Sequence, residues 1–227
     1  MKSKFFALFL ALGLVTSAHA QFGGLGALTG GSKSSSGDVG PMIEEFNKDS
    51  ALINQAVSSS LIQIVAALGD KEQIAKVKTH SDGLSKTTDA KEQGSIRGTV
   101  IKEQAAVAQE LLKSADAKAK MAKLTPEMQQ KVAKSIFQVG IAALRIPGLT
   151  DKGKKIIEGV GSNPMNLGKI GPVKDGLSMF GDAAPKLPAI VSTGLKLMRD
   201  VKMDPGTPTA DSKFENVDLT FPPSQAG

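Results

Sequence analysis

The chain has 227 residues, 41% of them hydrophobic, and a formal charge of +6, enough for one mildly basic domain of ordinary size. It contains no cysteine, tryptophan or tyrosine, which excludes disulfides and thiolate chemistry and argues against the Trp and Tyr stacking platforms of sugar- and base-binding proteins. Phenylalanine is the only aromatic residue, so the core is expected to be aliphatic, and the modest charge gives no nucleic-acid signature.

Lys2 and Lys4 precede an apolar run from Phe5 to Val15, and Ala18-His19-Ala20 supplies the small-x-small cut site of a secretory signal peptide. Cleavage after Ala20 would remove 20 of the 227 residues and both lysines, leaving 207 residues that begin at Gln21 and carry +4. The run is too short for a stable span, and no later segment is expected to reach the roughly 20 apolar residues that one needs. The chain is therefore expected to be exported, periplasmic or secreted, with no transmembrane anchor. Residues 21–40, dominated by Gly and Ser, are expected to form a flexible arm.

A helical domain is expected over residues 41–203. Pro41 suits a first helical position, and Ile43, Phe46, Ile53, Val57, Leu61, Ile64, Val65 and Leu68 recur at threes and fours up to Gly69, with Asp70 as the next N-cap. Lys71 to Leu124 keeps a heptad-like seam filled by small or polar residues, with a break expected among the glycines between Ser81 and Gly98. A partly flexible helical hairpin follows from this pattern. Thr125-Pro126-Glu127 starts another helix, expected to stop at Pro147-Gly148, after which shorter pieces lead to a last helix introduced by Pro185 and Pro188. In residues 204–227 the prolines prevent regular structure, while Phe214, Val217, Leu219 and Phe221 are spaced for an extended tail lying in a groove. The fold class is all-α, with an N-terminal arm and a C-terminal tail.

Catalytic motifs do not survive inspection. After export His80 would be the lone histidine, placed among lysines on a solvated face, where metal or base chemistry lacks partners. Ser178 sits in Gly-Leu-Ser-Met-Phe-Gly, one residue too long for a nucleophile elbow and not preceded by a strand. Gly161 to Lys169 and Gly24 to Gly30 miss the spacings of phosphate and dinucleotide loops. Glu44, Glu45, Asp200 and Asp204 lack the alternation of a calcium loop. No metal or cofactor is expected, and no enzymatic activity.

Two surfaces carry the functional expectation. The seam residues Ile101, Ala105, Ala108, Leu112, Ala115 and Ala119 would let a partner helix approach closely, either a protein partner or a second copy. The leading expectation is thus a non-enzymatic helical binding protein: an adaptor, assembly factor or chaperone-like component. The alternative is a peripheral envelope protein whose lysines, Lys113, Lys118, Lys120, Lys123, Lys131 and Lys134, contact anionic lipid or polymer.

Overall fold

In the computed structural model, residues 39–160, 168, 170–219 and 221 are described. The expected leader and residues 21–38 of the expected Gly/Ser arm lie outside them, whereas Gly40, expected to close the arm, is the first residue of a helix. The described residues hold seven helices and no strand: α1 (Gly40–Leu68), α2 (Lys71–Lys86), α3 (Ala90–Lys113), α4 (Ala117–Lys123), α5 (Pro126–Val160), α6 (Gly171–Ala183) and α7 (Leu187–Asp200). The all-α class is correct.

α1 is the axis around which α2 to α6 pack. From Ala56 to Leu68 every residue is buried, as expected of a helix covered on all sides rather than on one stripe. Ser58, Ser59 and Ser60 break the apolar pattern in the sequence yet lie inside. Ser58 shows why this is tolerated, because its hydroxyl donates to the Gln55 carbonyl, 3.2 Å away, within its own helix. Small hydroxyls admit close neighbours, although the buried Ser60 hydroxyl has no hydrogen-bond partner among the described residues.

α1 and α5 are long and apolar enough to cross a membrane by length and composition alone, contrary to the expectation that no segment after the leader would be. In this fold 83% and 61% of their most apolar stretches are buried among the other helices. Their apolarity therefore serves a core.

The α1–α2 corner follows the sequence closely. Asp70 accepts from the Gln73 amide and Gln73 Oε1 accepts from the Asp70 amide, both at 2.9 Å, completing a reciprocal capping box. The break between α2 and α3 falls at Thr87-Thr88-Asp89, inside the expected Ser81 to Gly98 stretch, while Gly83, Gly94 and Gly98 themselves remain helical. Asp89 caps α3 by accepting from the Glu92 amide at 2.7 Å, and the Thr87 hydroxyl donates to Glu92 at 2.6 Å. A good cap at Asp89 decides the boundary more strongly than scattered glycines, each of which weakens a helix by only about 1 kcal/mol.

α5 begins as expected, with Thr125 Oγ1 accepting from the Met128 amide at 3.3 Å, but it does not stop at Pro147-Gly148. It continues to Val160. Pro147 and Gly148 are exposed, whereas Ile146, Leu149, Gly153, Ile156 and Val160 keep the helix's inner face buried beyond them. An interior proline costs about 3 kcal/mol, and burying an aliphatic side chain returns roughly 1.5–3 kcal/mol each, so the buried face carries the helix through. The Lys152–Glu45 ion pair, 2.7 Å, ties this extension to the start of α1.

α6 and α7 start with prolines in their first turns, and α7 crosses α5 closely at Gly194. A Cβ there would stand 2.8 Å from Ile136, so only glycine admits this crossing. α7 ends in a Schellman motif: the Met203 amide donates to the Met198 carbonyl (2.9 Å) and the Lys202 amide to that of Arg199 (3.0 Å). Lys202 occupies the left-handed position, φ 62°, which glycine normally fills. The chain then runs back over α5 as an extended tail.

Candidate functional site

The Ala-rich seam divides in two. Ile101, Ala105, Ala108 and Leu112 are buried, and α3 packs against α1 and α7. As a face for an external partner these four are corrected: the small Ala105 and Ala108 let the protein's own helices approach, and Ile101 and Leu112 fill the core between them. Ala115 and Ala119 do not continue the seam, because the helix breaks at Ser114, whose hydroxyl donates to the Leu111 carbonyl at 2.7 Å. Both alanines are exposed, Ala115 in the turn and Ala119 on α4.

The six lysines also separate. Lys113, Lys118 and Lys123 are exposed around the α3–α4 corner, and among the described residues no carboxylate lies within ion-pair distance of them. Lys120 is tied down, pairing with Asp116 at 3.1 Å and donating to the Leu68 carbonyl at the end of α1, also at 3.1 Å. The neighbouring Ser114 side chain and then Lys120 hold the Asp116 carboxyl below the usual carboxylate range. Lys131 and Lys134 belong to another surface. Lys131 sits between Glu127 (2.9 Å) and Asp218 (3.7 Å), and Lys134 pairs with Glu215 at 2.8 Å.

Those last contacts are part of a strap formed by the tail over α5. Arg145 Nε donates to the Ala210 carbonyl at 2.7 Å and its Nη2 to the Ser212 carbonyl at 2.8 Å. The same guanidinium stands over the Phe214 ring, 4.8 Å from its centroid. Gln138, fully buried on α5, accepts from the Glu215 amide at 3.2 Å. Pro208 lies on Gly140, where a Cβ would come within 2.5 Å of the ring, so the tail's path requires glycine at that point of α5. Phe214, Leu219 and Phe221 pack on the core while Asp218 faces outward; half-buried Val217, Leu219 and Phe221 follow the period-two spacing, but Phe214 also turns inward from an odd number of positions away, so the alternation slips at Glu215-Asn216.

Elsewhere the chemistry is sparse. His80 is half-buried rather than solvated: its Nε2 lies 3.5 Å from Glu103 Oε2, which also meets Lys76 Nζ at 3.0 Å, so the cluster joins α2 to α3. Lys76 is the main cause holding the Glu103 carboxyl below its ordinary range. Ser178 is exposed on the helical α6. Most of Gly161 to Lys169, and all of Gly24 to Gly30, lie outside the described residues. Asp204 accepts from the Gly206 amide at 2.9 Å in the turn that leads into the tail. Among the described residues no three acids or histidines gather as metal ligands.

Sequence reasoning missed Arg97 and Arg145, although a signal was available, since only three arginines occur among 28 basic residues. A planar, five-donor cation retained in a lysine-rich chain marks a place where geometry matters. Arg145 reads tail carbonyls. Arg97, half-buried, donates to the Ser58 hydroxyl at 3.2 Å, with no acid in ion-pair range among the described residues, and burial lowers its pKa.

In comparisons with known proteins, no family model matches this chain, and neither does a curated protein or a solved structure.

Proposed function

We propose that this is an exported, non-enzymatic helical binding protein that rests on an anionic envelope surface through its α3–α4 corner. One observation carries the reading: Lys113, Lys118 and Lys123 are exposed and free of carboxylates among the described residues, with the small Ala115 and Ala119 exposed between them. The one acid within the corner's turn, Asp116, is paired with Lys120. Each lysine near such a surface contributes roughly 1 kcal/mol, so three give reversible, salt-sensitive association rather than anchoring. The leader-like pattern of residues 1–20 supplies the compartment in this reading.

A role as adaptor, assembly factor or chaperone-like component drew its support from the Ala seam. With Ile101, Ala105, Ala108 and Leu112 inside the protein's own core, that seam offers no face to a partner, and the basic corner becomes the better-supported contact.

The test is co-sedimentation of the full chain with vesicles. Binding to phosphatidylglycerol-containing vesicles at low salt, lost at high salt and absent with neutral phosphatidylcholine, is the expected result. Equal binding to both lipids, or none to either, would remove the reading.

A further inference from the structure

The strap over α5 is held in a way that a surface for an extended peptide would be. Arg145 donates to two main-chain carbonyls and Gln138 accepts from a main-chain amide, so the face reads an extended backbone before it reads side chains. Side-chain preference is added by the guanidinium over Phe214 and by Lys134 and Lys131 facing Glu215 and Asp218. An aromatic residue, an acid next to it and a second acid three positions on meet three cations at fixed places along one helix.

The tail's hold is also weak by construction. None of its described residues is fully buried, its ion pairs are largely exposed and contribute little, and it leaves α7 through Lys202 in a left-handed conformation that disfavours a side chain. Lifting it would strip the buried Gln138 carbonyl of its tail amide and expose Arg145, which makes the vacated face receptive to a replacement.

We propose that the α5 face formed by Lys131, Lys134, Gln138 and Arg145 is a binding surface for an extended aromatic–acidic segment of a partner protein, and that the tail occupies it in cis. The tail is then a competitor at high effective concentration, which a free peptide must displace. This inference does not rest on the lysine corner.

The experiment uses the full-length chain and a fluorescent peptide with the sequence of residues 208–221. Weakening the cis tail with Phe214→Ala and Glu215→Lys should tighten peptide binding by about tenfold or more over the unmodified chain, because the local competitor is lost. Adding Arg145→Ala should abolish the gain. A second arm guards against misfolding: a Lys134→Glu chain should prefer a peptide carrying Glu215→Lys to the native peptide, with circular dichroism confirming the helices. Equal peptide affinity for the unmodified and tail-weakened chains, or binding indifferent to Arg145 and to the charge exchange, would overturn the proposal. So would dimerisation of the chain through exchanged tails without peptide, since the surface would then serve a second copy.

Discussion

Two lysine-bearing surfaces of this protein look alike in the sequence and differ completely in the fold. On α5, Lys131 and Lys134 are engaged by acids, among them Asp218 and Glu215 of the chain's own tail. At the α3–α4 corner, Lys113, Lys118 and Lys123 face outward without such acids. The difference lies in what returns to cover each surface. A basic run counts as an anionic contact only after the chain's distant acids have been placed, and the tail acids are more than 80 residues from the lysines they meet.

The largest expected effect tests whether the corner truly stands outside the core. Ala108→Glu would bury a carboxylate without a partner and should cost about 3–5 kcal/mol, enough to remove most of the stability of an ordinary domain. Ala119→Glu, a turn into the exposed stretch, should change stability by less than about 0.5 kcal/mol. Thermal unfolding of the two variants makes the contrast, and equal losses would mean that the seam and the corner had been wrongly divided.

On the α5 side, Arg145→Ala removes two charge-assisted hydrogen bonds and the contact with Phe214, a loss of roughly 1–3 kcal/mol. It should appear as fast proteolysis and fast amide exchange across residues 204–219, with α1 and α3 unaffected. Uniform destabilisation of the whole protein would show that the tail is part of the core rather than a strap. A smaller effect comes from the hinge. Lys202→Gly relieves the left-handed side chain at the Schellman position and should raise stability by up to about 1 kcal/mol, measured by denaturant unfolding; a loss would mean that the lysine contributes something the strain does not explain.

The smallest effect sits in the corner itself. The Asp116 carboxyl has its pKa lowered by Ser114 and Lys120, so its contribution is present above the ordinary carboxylate range and is lost as pH falls through that lowered value. Being fully exposed, it should alter stability little. Asp116→Asn should nevertheless release Lys120 from its ion pair and increase affinity for anionic vesicles at neutral pH, and unchanged affinity would show that Lys120 stays held by the Leu68 carbonyl alone.

Much of the fold was legible because its signals were local. The capping pair Asp70 and Gln73, the Thr125-Pro126 start and the threes and fours of α1 each depend on residues within one or two turns. The end of α5 was not legible, because Pro147 and Gly148 are local stop signals overruled by Leu149, Ile156 and Val160 packing in the core. The same holds for Ser58 to Ser60, polar in composition and buried by neighbours from other helices. For the candidate sites, the lysines and alanines were identifiable by type, but their division between core, strap and open corner depends on contacts across the chain. Alternation matched the tail's facing from Val217 through Leu219 to Phe221 but not Phe214, which turns inward an odd number of positions away because the alternation slips at Glu215-Asn216; the Arg145 and Gln138 that receive the tail were invisible to any local pattern.

The most direct measurement compares charge reversal on the two surfaces in one vesicle-binding assay. The Lys118→Glu, Lys123→Glu chain and the Lys131→Glu, Lys134→Glu chain lose the same number of positive charges, so net charge is controlled. Only the corner variant should lose binding to phosphatidylglycerol vesicles at low salt, while the α5 variant keeps it and instead releases the tail. Equal loss in both would reduce the interaction to overall charge, and loss in the α5 variant alone would contradict the assignment of the corner as the contact surface.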